Sequence, residues 1–267
     1  MVNRPKLQVL AGVNGAGKST LHNEVFDKNI PFINPDVIAR RISPDNFNDL
    51  SISREAGREA ILQTKEHLSQ KLSFSLETTL SGQQPLKVMR QAREMGFIVE
   101  LHFVGLADKE QSIDRVAHRV ELGGHNIPRD ILERRYDKSM DNLSKAMLLS
   151  DNISIYDNSG KNRRLIFEQV NGMILHRLDK MPEWADKAIN RYEQEDSAIK
   201  RSDLISYYKD KINKSGSLSH VDKNKLFEKF SDRINNVDRE KLVSMHKAMQ
   251  PNKQAKIIKT KSQDLER

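Results

Sequence analysis

Over the first two-thirds of the chain, short unbroken apolar runs alternate with stretches whose apolar residues recur every three or four positions. That alternation predicts an α/β fold, a parallel sheet flanked by helices, because buried parallel strands are apolar on both faces. Residues 7–11 form the first run, and 20–26 read as the opening turns of a helix. A short second strand over 31–34 ends at Pro35-Asp36, and a long polar helix follows over 54–71. The third strand, 73–77, runs into Thr78-Thr79-Leu80-Ser81-Gly82. Residues 85–95 are helical, with Pro85 in the first turn and Gly96 as the stop. A fourth strand, 97–104, precedes helices over 108–122 and 129–149, which Gly123-Gly124-His125-Asn126-Ile127-Pro128 separates. The fifth strand covers 153–157; residues 164–170 and 173–176 then flank Asn171-Gly172, the strongest short hairpin signal.

Beyond Met181 the texture changes to scattered charges with sparse apolar residues. Leu226, Phe227, Phe230 and Ile234 recur at helical spacing, enough for one amphipathic stripe. The reading is therefore a catalytic domain over 1–185, an α-helical extension over 186–250, and a basic, polar, disordered tail over 251–267.

Between the first strand and the first helix stands Gly12-Val13-Asn14-Gly15-Ala16-Gly17-Lys18-Ser19, a full match to G-x-x-x-x-G-K-[ST]. A nucleoside triphosphate needs a concave set of backbone N–H donors, and glycines let the chain wrap it without Cβ clashes. The start of the following helix, with Ser19 and Thr20, adds open N–H groups and the positive dipole end. Lys18 reaches the β- and γ-phosphates and the Ser19 hydroxyl ligates Mg²⁺. This motif predicts binding of ATP or GTP.

Composition narrows the class. No run of about 18 apolar residues is present, so no membrane span is expected. The start runs straight into the first strand without an apolar signal segment, and cysteine is absent, so neither disulfides nor thiol chemistry enter. Cytoplasmic residence is expected because ATP is there. The net charge of +8 divides into +3 over residues 1–180 (26 Lys and Arg against 23 Asp and Glu) and +5 over 181–267 (19 against 14). A mildly basic enzyme of polyanionic ligands accounts for that without nucleic acid, and aromatics are only 6%, which leaves no stacking platform.

Ligands of open α/β sheets gather at the carboxyl ends of the strands. Asp36, after the second strand, is placed to accept a proton from an attacking hydroxyl or to help hold the metal; as an N-cap of the next turn it reads equally well. Glu77 can accept hydrogen bonds from an acceptor substrate, and Thr79 can donate to a phosphate. Arg115 and Arg119 share a helix face, and Arg134 and Arg135 follow the Gly-Gly hinge, the layout of a lid that closes guanidinium groups over the γ-phosphate. Their alternative use is pairing with Glu121, Asp130 and Glu133 on solvated helices. His125 reads as a phosphate contact or a loop residue, His102 as strand packing, and no zinc-ligand spacing is present.

Taken together, these strings resemble the zeta toxin family, and more closely its branch described as predicted ABC-type ATPases. The resemblance is carried by the phosphate loop, Asn34-Pro35-Asp36-Val37-Ile38-Ala39, Glu77-Thr78-Thr79-Leu80-Ser81-Gly82, Phe103-Val104-Gly105-Leu106, Arg115-Val116 with Arg119-Val120, Gly123-Gly124-His125, Arg134-Arg135-Tyr136 and Tyr156-Asp157-Asn158-Ser159. It covers residues 5–190. What it implies is a P-loop kinase of a small-molecule hydroxyl, in known members that of UDP-N-acetylglucosamine, neutralised by a small antitoxin. By matching motif, Lys18 holds the phosphates, Asp36 is the base, Glu77 and Thr79 contact the acceptor, Arg119 and Arg134 clamp, and Asn158 lies near the adenine.

Two rival readings remain. Leu80-Ser81-Gly82-Gln83-Gln84 resembles the signature of ABC ATPases, but the spacing from the phosphate loop is too short for the intervening subdomain. The strand over 97–104 also lacks a terminal acidic pair. A nucleotide switch whose basic C-terminal part binds a macromolecular partner is the other.

Overall fold

The computed structural model describes residues 4–47, 49–124, 126–215 and 219–249. It divides into two compact units, one ending at Tyr192 and one beginning at Glu193.

The first unit is built on a seven-stranded sheet with the order β2-β3-β1-β4-β5-β6-β7. Strands β1 (Lys6–Gly12), β2 (Phe32–Ile33), β3 (Phe74–Thr78), β4 (Ile98–Gly105) and β5 (Asn152–Asp157) run parallel. Strands β6 (Arg164–Val170) and β7 (Met173–Arg177) complete one edge antiparallel, so the sheet is mostly rather than wholly parallel. Asn171 and Gly172 both take positive φ, 49° and 80°, as the predicted two-residue hairpin turn requires.

Central strands are buried on both faces, which is why they read as unbroken apolar runs: β1 is buried from Leu7 to Gly12. Gln8 is the polar exception, and its amide is used across three strands, accepting from Ser75 Oγ at 3.0 Å and donating to Glu100 at 3.0 Å. Helices α1 (Lys18–Val25), α2 (Pro35–Ile42), α3 (Leu50–Gln70), α4 (Gln84–Glu94), α5 (Lys109–Glu121) and α6 (Arg129–Leu148), with the first part of α7 (Glu183–Asn213), surround the sheet. The main core joins Phe74, Phe103 and Phe167 from the strands, and Phe97 just before β4, to Leu143 and Met147 of α6 and Ile189 of α7.

Several boundaries differ from the sequence reading. The second strand is only two residues long, because Asn34 caps α2 and Pro35 begins it, a preferred first-turn position for proline. Helix α3 starts four residues earlier than predicted, at Leu50, since Asp49 accepts from the Ser51 N–H at 2.6 Å.

The second unit holds the rest of α7, α8 (His220–Asn235) and α9 (Arg239–Met249) around Leu204, Ile234, Leu242 and Met249. Of the predicted stripe, Ile234 enters this core and Phe230 stacks on Tyr208 at 4.8 Å. Arg201 donates to the Ile234 and Val237 carbonyls and so ties the end of α8 to α7. The tail over 251–267 lies outside the described residues.

Candidate active site

The phosphate loop leaves β1 at Gly12, directly opposite Val104 of β4. With φ of 145° and a would-be Cβ at 2.2 Å from the Val104 carbonyl oxygen, this position admits no side chain. Gly17 closes the loop at φ 83° as the N-cap of α1, and no side chain caps that helix. Its first N–H groups therefore stay open to an anion, while the dipole favours one. The loop's carbonyls are turned outward and held from outside. Ser112 of α5 donates to Asn14 O at 2.7 Å, Asn158 Nδ2 donates to Ala16 O at 2.9 Å, and Arg115 donates to Asn158 O at 2.8 Å. Val13 O takes the Lys18 ammonium at 3.2 Å. Ser19 and Thr20 are exposed at the mouth of the loop.

A second group of side chains faces this loop from the ends of β2 and β3. Glu77 pairs in register with Leu10 of β1, and its Oε1 lies 3.7 Å from Lys18 Nζ. Burial holds the Lys18 ammonium below its ordinary range, with Glu77 and Asp36 opposing that shift. Burial likewise pushes the Glu77 carboxyl above the usual carboxylate range, with Lys18 opposing. The pair thus sits where charge is poorly solvated, and an incoming triphosphate offers Lys18 a stronger partner. Asn34 Nδ2 donates to Glu77 Oε2 at 2.9 Å, while Asn34 Oδ1 accepts from the Asp36 N–H at 2.8 Å. Asp36 itself is exposed in the first turn of α2.

Both groups line one cavity of about 660 Å³. Lys18, Asp36, Glu77 and Thr79 meet there with Arg119 at the end of α5 and Arg134 and Arg135 in the first turns of α6. A smaller space of about 280 Å³ adjoins it, sharing Pro35, Asp36, Ser53 and Arg119 and extending to Arg40 and Phe47. The Arg40 guanidinium lies over the Phe47 ring at 5.0 Å. The cavity therefore combines a phosphate cradle, two carboxylates and three guanidinium groups.

The zeta toxin family model matches residues 2–166, more than half of the chain. The chain belongs to the zeta toxin family. An uncharacterized protein of Haemophilus influenzae is 39% identical over 125 residues, covering 47% of this chain and 88% of that protein. Among solved structures, the complex of AvrRxo1-ORF1 with AvrRxo1-ORF2 and sulphate ions superposes with a TM-score of 0.55 at 16% identity. That match covers 72% of this chain and 64% of the other, so this chain spans just under two-thirds of its length. The same complex with ATP gives 0.54 at 16% identity, over 94% and 77%. At such identity the likeness is one of fold, the P-loop kinase-like sheet with flanking helices.

Within this zeta toxin fold, Gly12, Val13, Asn14, Gly15, Ala16, Gly17, Lys18 and Ser19 form the expected loop. The alternative use of Asp36 as an N-cap is corrected: Asn34 caps α2, because it stands one residue before Pro35, and the Asp36 carboxylate is left for the cavity. Of the paired arginines, Arg115 is bonded to the Asn158 carbonyl and Arg119 lines the cavity, whereas Arg134 and Arg135 both line it. Asn158 packs on the loop backbone, its amide 2.9 Å from where a Cβ on Gly17 would sit. Thr79 shares a 2.8 Å hydrogen bond with Ser81. Leu80, in the ABC-like string, is fully buried at φ 57°, a strained backbone that Asn142 holds by donating to its carbonyl at 2.9 Å. His102 is core packing as expected: burial pushes it down to about 4, and it rests against Phe26 and Tyr156. His125 lies outside the described residues. Asn34 and Ser112 are the site residues that sequence reasoning passed over. An Asn before Pro-Asp at a strand end is an N-cap signal that pointed to the first; nothing local marks the second.

Proposed function

We propose that this zeta toxin is an ATP-dependent kinase that transfers the γ-phosphoryl group to a hydroxyl of a small molecule, a nucleotide sugar of the UDP-N-acetylglucosamine kind. The observation that carries this reading is the single cavity in which Lys18 and Glu77 face Asp36, Arg119 and Arg134. Transfer to an alcohol needs little covalent help from the protein; it needs positioning and charge stabilisation.

In this reading the loop N–H groups and Lys18 hold the β- and γ-phosphates. Asp36 takes the proton from the acceptor hydroxyl as its oxygen attacks phosphorus and the bond to the β-phosphate oxygen breaks. Glu77 and Thr79 orient the acceptor, whose remainder extends toward the space beside Arg40 and Phe47. Arg119 and Arg134 balance the charge that spreads over the transferring group, and Asn158 braces the loop on the adenine side. Ser19 suits Mg²⁺: it is an exposed hydroxyl residue in the first turn of α1, next to Lys18. A Mg²⁺ ion held there would supply neutralisation of the phosphate charge.

The complex of AvrRxo1-ORF1 with AvrRxo1-ORF2, solved also with ATP, supports ATP as donor and a protein partner, which in this reading is a small antitoxin. No described helix is long and apolar enough to cross a membrane, and the kinase works in the cytoplasm, where ATP is. Incubation with γ-labelled ATP, Mg²⁺ and a panel of UDP-sugars tests the reading. Label is expected in a sugar product; label released only as inorganic phosphate contradicts it.

A further inference from the structure

Asn34 is 7% exposed, and both ends of its side-chain amide are used. Its oxygen accepts from the N–H groups of Asp36 at 2.8 Å and Val37 at 3.4 Å, which starts α2. Its nitrogen donates to Glu77 Oε2 at 2.9 Å, and the other oxygen of Glu77 faces Lys18 at 3.7 Å. One side chain therefore joins the helical turn that carries Asp36 to the carboxylate that faces the phosphate-binding lysine. A cap needs only the oxygen. The donor end has no part in starting the helix.

We propose that Asn34 is a positioning residue, which through its amide nitrogen holds Asp36 in register with Lys18 and the γ-phosphate. The inference rests on the assignment of Asp36 as the base. Ile38 and Ala39 pack the far side of the first turns of α2 into the core, and β2 leads into it with only two residues; the amide of Asn34 is what joins the Asp36 turn to Glu77. A misplacement of about 1 Å in a reacting group costs on the order of 10²-fold in rate.

Asn34→Asp separates the two roles, because aspartate caps as well as asparagine yet places a carboxylate against Glu77. Turnover of γ-labelled ATP is measured in the full-length protein, with phosphorylated acceptor and inorganic phosphate separated. The melting temperature and ATP affinity are measured alongside. Expected for N34D are a retained N-cap and folded state, a lower melting temperature from the carboxylate placed against Glu77, and kcat lower by about 10- to 100-fold at saturating ATP. Asn34→Ser, which keeps a capping oxygen but has no reach to Glu77, lowers kcat in the same direction. The double variant N34D/E77Q restores the hydrogen bond with donor and acceptor exchanged. It is expected to recover kcat over N34D while its KM for the acceptor worsens. N34D turning over like the unmodified protein overturns the inference and leaves Asn34 a cap. So does a double variant whose loss equals the combined losses of N34D and E77Q measured singly, with no recovery between them. Label found only in inorganic phosphate removes the kinase reading, while the same comparison of rates still decides for or against Asn34. No turnover at all removes both.

Discussion

The two halves of the cavity are made differently. The phosphate half is backbone: one loop between adjacent parallel partners, braced from outside by Ser112 and Asn158 and closed to side chains at Gly12. The other half, which the proposed function assigns to the acceptor, is side chain: Asp36 from α2, Glu77 and Thr79 from the end of β3, Arg119 from α5, Arg134 from α6. A cradle of N–H groups recognises triphosphate in any chain that folds this way. A wall of side chains drawn from four elements is shaped by what each of them packs against, and in the proposed function it sets acceptor specificity.

The largest effect expected is on the acceptor side. Asp36→Asn keeps the size of the side chain and leaves the Asn34 cap untouched, so α2 persists. Loss of a general base typically costs about 10²–10⁴-fold, and kcat is expected to fall in that range while ATP binding by titration stays nearly intact. Normal turnover in Asp36→Asn places the base elsewhere.

Next comes Lys18→Ala. Removing a charge that stabilises the transferring phosphoryl group costs on the order of 10²–10³-fold in rate. Unlike Asp36→Asn, this change also weakens ATP binding, and the contrast between the two variants in a binding titration is the sharpest readout of the two-half division. Equal ATP affinity in both variants breaks it.

Smaller still is Asn158→Ala, which removes the side-chain hydrogen bond to the Ala16 carbonyl and keeps the bond of Arg115 to the residue 158 backbone carbonyl. A typical net contribution of ~1 kcal/mol predicts roughly fivefold weaker ATP binding with kcat for a saturated enzyme little changed. Phe230→Ala, in the second unit, is expected to leave both kcat and ATP affinity unchanged while lowering the unfolding temperature of that unit, since it removes the stack on Tyr208. A kinetic effect of Phe230→Ala, with the first unit still folded, contradicts a catalytic site confined to the first unit.

The same division governs what was legible in the sequence. The phosphate loop is readable because its function is local backbone, eight consecutive residues between a strand and a helix. The hairpin at Asn171-Gly172 is readable for the same reason, two residues that accept positive φ. Helix α2 reads in the sequence only as a turn after a longer strand, because a strand of two residues leaves no alternation to count. Leu80 carried no local sign that it occupies a left-handed position; its strain is offset by Asn142, 62 residues away. Ser112 supports the loop across 98 residues, and Arg115 differs from Arg119 only through what each meets in three dimensions. Contacts of that range leave no periodic trace in one sequence.

The central claim is that a terminal phosphate bound beside Lys18 finds an acidic side chain on the open side, with room for an alcohol between them. A crystal structure with a non-hydrolysable ATP analogue and Mg²⁺ tests it most directly. Expected is the γ-phosphate against Lys18, with the Asp36 and Glu77 carboxylates turned toward it across an accessible gap. A γ-phosphate that points out of the cavity, or closes against protein with Asp36 facing bulk solvent, contradicts it.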